Sequence, residues 1–93
     1  MQDVTGFVLM DRGMEGTRYI AEILANGHPE NPVVYYTNNL ENAKAWGTGV
    51  GADRAAKRLG GVFEVKAIGR DPIGRRQLRG TWIYGVGMIE TNE

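Results

Sequence analysis

The chain has 93 residues, of which 42% are hydrophobic and 24% are charged, and its formal net charge at pH 7 is zero. This size and composition predict a single folded domain over residues 1–93 and exclude an intrinsically disordered chain. With no cysteine and only one histidine, His28, the sequence excludes disulfides and thiolate or polyhistidine metal sites, and we expect no bound metal.

The first predicted element is a buried strand over residues 6–11, a short apolar run that ends in a polar cluster. Residues 17–25 allow two interpretations. Thr17 can cap a helix in which isoleucine and leucine recur at helical spacing and which ends at the Asn-Gly pair at 26–27. Alternatively, the same residues form a strand that makes a hairpin with the first strand around residues 15–16. The helix is our prediction, and the hairpin stays open.

Residues 33–37, with the sequence Val-Val-Tyr-Tyr-Thr, carry the strongest strand signal in the chain. Asn38 and Glu41 have the spacing of a capping box and predict a short helix that extends to Trp46. Alanine and leucine at helical spacing over residues 52–59 predict a second, amphipathic helix with an alanine-rich buried stripe.

The remainder of the chain predicts two strands separated by a long connection. Residues 62–68 alternate between apolar and polar residues, residues 69–80 are rich in glycine and arginine, and residues 81–89 are apolar and aromatic. The expected fold is therefore a small single-domain α+β protein, with an antiparallel or mixed sheet of four to five strands and two to three short helices.

Charge is distributed unevenly along the sequence. Residues 1–43 hold two basic and six acidic residues, whereas residues 44–79 hold nine basic and three acidic ones. Arginines concentrate in the connection, and in an exposed loop they would meet an acidic surface of a protein or a nucleic acid. The predicted partner-binding residues are Arg70, Arg75, Arg76 and Arg79. The alternative interpretation is that the two charged halves attract each other within the fold.

Patterns typical of catalysis are weak. Residues 47–52 fit the GxGxxA dinucleotide fingerprint, but a predicted helix precedes them where the fingerprint requires a buried strand. We interpret this segment as a joint between two helices. Because the chain has no serine, it also excludes a serine nucleophile.

The order of several short motifs resembles the ADP-ribosyltransferase fold, most closely its rifamycin-modifying branch. The motifs are Arg12-Gly13, the strand 33–37, the Ala- and Trp-Gly-containing segment 40–47, Val62-Phe63-Glu64-Val65 and Asp71-Pro72. This resemblance implies NAD held between the first strand and the aromatic strand, with Arg12, Tyr36 and Asp71 as site residues. The sequence departs from the pattern in lacking both the His-Gly-Thr of that branch and a Glu-x-Glu pair.

The chain also resembles the small accessory proteins of bacteriophages and mobile elements. We therefore expect a cytoplasmic, non-catalytic binding protein without a cofactor, an inhibitor or adaptor of phage type. It would engage a host macromolecule, a protein rather than a nucleic acid, through its basic glycine-rich loop, and would not bind a membrane. The alternatives are an NAD-dependent ADP-ribosyltransferase-like enzyme, or a degenerate relative of one, and a nucleic-acid-binding module.

Overall fold

A computed structural model describes residues 3–13, 16–24, 32–60 and 63–90. These residues form one six-stranded sheet in the order β3-β2-β1-β4-β5-β6, in which every neighbouring pair is antiparallel. The strands are β1 (Gly6–Gly13), β2 (Gly16–Leu24), β3 (Val33–Thr37), β4 (Glu64–Arg70), β5 (Arg76–Ile83) and β6 (Gly87–Glu90). The described part of the chain has one α-helix, α1 (Gly49–Leu59), and one 3₁₀ turn, Leu40–Asn42.

The predicted helix over residues 17–25 is wrong, and the hairpin alternative is correct as far as Leu24. The strand β2 pairs with β1 and β3, and its register against β3 shifts between Ile20 and Glu22. This bulge gives β2 one extra residue, so Ile20 and Ile23 pack on the same face of the sheet although they are three positions apart. A spacing of three is also the spacing of a helix face, which explains the error.

The predicted helix from residue 39 to Trp46 is also wrong, because only the 3₁₀ turn forms. The chain then runs extended, and Trp46 exchanges two backbone hydrogen bonds with Phe7, of 2.9 and 2.8 Å. The Lys44 amide donates to the Ile20 carbonyl at 2.8 Å. Trp46 thus pairs with Phe7 near the start of β1, and Lys44 bonds to β2 beside its bulge.

These differences overturn the predicted fold class. The described residues contain six strands and one α-helix instead of four to five strands and two to three helices. The predicted strand 81–89 divides into the end of β5, a turn at residues 84–86 and β6. The predicted connection 69–80 shrinks to residues 71–75, because β4 and β5 extend into it.

Side chains are buried on both faces of the sheet. The helix face carries the cluster Leu9, Ile20, Ala52, Ala56 and Val65. The opposite face, which the 3₁₀ turn covers in part, carries Val8, Met10, Tyr19, Ala43 and Ile68. Because β1 buries both of its faces, its apolar residues run consecutively instead of alternating.

The helix α1 confirms the predicted alanine-rich stripe, since Ala52 and Ala56 are buried against the sheet. The Thr48 hydroxyl caps it by accepting from the Gly51 amide at 3.0 Å. A Cβ at Gly49 would collide with the Trp82 indole, so this glycine allows the close packing of the helix on β5. Of the glycines in the fingerprint-like segment, Gly49 therefore has a structural explanation, whereas a Cβ at Gly47 would meet nothing within 4 Å.

Candidate functional site

The loop between β4 and β5, residues 71–75, is held by its own hydrogen bonds. The Asp71 amide donates to the Arg75 carbonyl at 2.8 Å, and the Gly74 amide donates to the Asp71 carbonyl at 2.9 Å. The Asp71 carboxylate accepts from the amides of Ile73 and Arg75 at 3.0 and 2.9 Å. A short loop with this many internal bonds has few conformations open to it, so its shape is preorganised.

The Asp71 carboxylate has a lowered pKa. The largest cause is the hydrogen bond from the Arg75 amide, and the Ile73 amide and the Arg75 guanidinium add to it against a smaller opposing effect of desolvation. All of these donors stabilise the charged form of the carboxyl group. The charge of Asp71 is therefore part of what orders the loop.

Acid should loosen this loop. A lowered pKa in the folded state means that the stabilisation is present above the unfolded pKa of about 3.9 and is lost as the pH falls through the folded value. We expect the Ile73 and Arg75 amide resonances to move toward random-coil positions in that acidic window. Two-dimensional NMR of the protein, titrated downward from neutral pH, measures this. Asp71→Asn is the control: it has no carboxyl group at this position, so the shift of the two amide resonances that follows protonation of Asp71 should be absent. If the resonances of the parent do not move with pH, the role of Asp71 in ordering the loop is contradicted.

The loop presents an apolar side chain at its tip. Ile73 is 73% exposed, the highest value among the exposed large hydrophobic residues of the described chain. Ile73 is not among the binding residues predicted from the sequence. The available signal was a β-branched residue between Pro72 and Gly74, in a turn where polar residues are usual.

Two of the four predicted arginines, Arg70 and Arg75, flank Ile73 in the sequence and keep hydrogen-bond donors that the loop does not use. The Arg75 side chain is 70% exposed, and its Nε lies 3.3 Å from Asp71 Oδ2. Arg70 is exposed and donates from Nη1 to the Gly74 carbonyl at 2.7 Å. A guanidinium has five N–H donors, so each retains donors for a partner. We call residues 70–75, which are the candidate partner-binding segment, the recognition loop.

The other two arginines lie on β5 instead of in the loop, and they hold the fold together. Arg76 Nη1 donates to the Leu40 and Ala43 carbonyls at 3.1 and 2.6 Å, and its amide donates to the Glu41 carboxylate. Arg79 Nη2 donates to the Arg70 carbonyl at 2.7 Å. Arg76 thus ties the 3₁₀ turn to the sheet, and Arg79 braces the end of β4.

The three residues implied by the ADP-ribosyltransferase resemblance do not converge. Arg12 is the last residue but one of β1 and pairs with Glu64 at the start of β4 at 3.1 Å, whereas Asp71 lies just beyond the opposite end of β4. Tyr36 is on β3 and faces the helix side of the sheet, the side opposite to Arg12. The Arg18 guanidinium covers its ring at 3.8 Å from the centroid.

A separate polar contact lies on the sheet face opposite the helix. Lys66 is 8% exposed, and its Nζ donates to the Thr81 hydroxyl at 2.7 Å across β4 and β5. In the ranges that the structure describes, no three His, Cys, Asp or Glu side chains are grouped so that they could hold a metal ion. His28 lies outside those ranges.

No protein-family model, curated protein or solved structure matches this chain. The resemblances to ADP-ribosyltransferases and to phage accessory proteins therefore stay predictions. Over the described residues, no helix combines the length and the apolar character needed to cross a membrane.

Proposed function

We propose that this chain is a small non-catalytic binding protein, an inhibitor or adaptor, whose recognition loop engages an acidic protein surface. The observation that carries the proposal is the exposed Ile73, held on a hydrogen-bonded loop between Arg70 and Arg75. Arginine is enriched in interface hot spots, and an exposed apolar side chain in the same loop gains free energy when a partner buries it. Because the loop is already ordered, binding loses little conformational entropy.

The chemistry of the loop favours a protein partner over a nucleic acid. Ile73 gains free energy when it enters an apolar pocket but contributes nothing to a phosphate contact. Trp82, which could have stacked on a base, is half-buried and packs edge-on against Phe7, with ring centroids 6.5 Å apart. Two available arginines fall short of the phosphate contacts that non-specific nucleic-acid binding usually draws on. The partner surface should therefore hold an apolar pocket bordered by carboxylates.

Paired variants test this proposal by affinity capture from a lysate of the organism that encodes the chain. The loop variant combines Ile73→Asp with Arg75→Glu. The matched control combines Val86→Asp with Arg58→Glu, because both of these residues are exposed and neither lies in the loop. Circular dichroism establishes that each variant is folded.

We expect one or more proteins to be retained by the parent and the control but lost from the loop variant. Titration of such a protein should show a loss of affinity of about 30-fold or more, which corresponds to the removal of a hot-spot residue. Retention should also weaken with salt. The proposal is wrong if every retained protein binds the loop variant as tightly as the parent, or if the species lost is a nucleic acid.

A further inference from the structure

The strand β3 forms an edge of the sheet with nothing in its sequence to prevent further pairing. In the described part of the chain it pairs with β2 alone. Residues 33–37 contain no charge and no proline, and Tyr35 is 51% exposed. Natural edge strands usually carry a charge, a proline or a bulge that blocks another strand. The opposite edge, β6, is shorter and begins at Gly87, whose φ is 100°.

The backbone groups that β3 turns outward follow from the alternation of antiparallel pairing. Phe7 directs its N–H and C=O to Trp46, on the β2 side of β1. Along each strand the N–H and C=O groups of successive residues point alternately to one side and the other. When the paired residues are followed from β1 through β2 to β3, the N–H and C=O groups of Thr37 point toward β2. The N–H and C=O groups of Val34 and Tyr36 then point away from β2, in the plane of the sheet, where they can bond to a further strand.

We propose that β3 pairs antiparallel with β3 of a second copy of this chain, about a two-fold axis at Tyr35. In this register Val34 and Tyr36 of the partner subunit exchange both of their backbone hydrogen bonds, and the symmetric pair does the same. The two Tyr35 side chains lie directly opposite each other, on the sheet face away from the helix. The two sheets become one continuous sheet.

A second copy fits this edge better than an unrelated strand because β3 is complementary to itself. A two-fold axis places identical residues face to face, so a charge near the axis would repel its copy. From Pro32 to Asn39 there is no charged residue, and the net charge of the chain is zero. Aromatic residues placed opposite each other across an antiparallel pair are favourable. The β2 and β1 strands separate this edge from the recognition loop, so both surfaces can be used at once.

Sedimentation equilibrium from micromolar to millimolar protein tests the pairing. We expect the parent to pass from monomer to dimer, and Tyr35→Lys to raise the dimer dissociation constant by about tenfold or more, because the two lysines would face each other. Val33→Lys, at a second exposed position of the same strand, should act in the same direction. The control Tyr84→Lys alters an exposed tyrosine outside β3 and should dimerise like the parent.

Circular dichroism must show that the variants are folded. A parent that remains monomeric at millimolar concentration would overturn the proposal. So would a dimer that withstands both β3 substitutions, or one that Tyr84→Lys alone disrupts, since the contact would then lie at the other edge or elsewhere.

Discussion

Replacing Leu9 with alanine should lower the free energy of unfolding by about 2–5 kcal/mol, the usual cost of deleting a large aliphatic side chain from a core. Leu9 is fully buried on β1, at the centre of the sheet, in the cluster that includes Val65 and Ala52. A domain of this size has a total stability of about 5–14 kcal/mol, so the substitution should remove a large share of it. Urea denaturation followed by circular dichroism measures the change.

Ile89→Ala is the matched control for Leu9, because Ile89 is an exposed aliphatic residue on β6. Its effect should stay within about 0.5 kcal/mol. A cost below about 1 kcal/mol for Leu9→Ala would mean that the Leu9 side chain is not enclosed between the sheet and α1.

Replacing Arg76 with methionine should cost about 2–4 kcal/mol, because the change removes charged hydrogen bonds, leaves the Ala43 carbonyl without its donor and leaves the Leu40 carbonyl with only the Ala43 amide, at 3.2 Å. Methionine keeps much of the aliphatic stem, so the loss reports mainly on the guanidinium. Urea denaturation measures the free energy of unfolding of this variant and of Arg75→Met. The comparison distinguishes an arginine that bonds to the fold from one that faces solvent.

Arg75→Met should change stability by no more than about 0.5 kcal/mol, since its exposed guanidinium pairs only with the neighbouring Asp71 in the described structure. Equal costs for the two neighbouring substitutions would contradict the assignment of Arg76 as the tie to the 3₁₀ turn. Because Arg76 bonds to the 3₁₀ turn, reversing its charge would also destabilise the fold. A variant that includes Arg76 is therefore unsuitable for testing partner binding.

The sequence pattern correctly predicted the elements that are defined by residues close together in the chain. The strand β3 matches its predicted bounds, and the alanine stripe of α1 is buried as expected. The errors lie where distant residues decide. The predicted cap is Asn38, but Asn39 is the residue that caps the 3₁₀ turn, accepting from the Glu41 amide at 3.0 Å. The helix nevertheless stops after one turn, because Trp46 pairs with Phe7 and draws the chain into an extended course.

The candidate site shows the same division. The density of arginine after β4 is visible in the sequence, but the guanidinium groups that remain available to a partner depend on folding. Arg76 is occupied by carbonyls more than thirty positions earlier in the chain. The exposure of Ile73 depends on the bonds that Asp71 makes within the loop, which residue composition does not reveal.

The recognition loop is tested most directly by amide chemical-shift mapping of the labelled protein with its captured partner. If the loop is the binding surface, the largest shifts should fall on residues 70–75, with Ile73 among the strongest. They should shrink as salt is added, because the arginine contacts are screened. Shifts that leave residues 70–75 unchanged and concentrate on α1 or the turn at residues 84–86 would contradict the account.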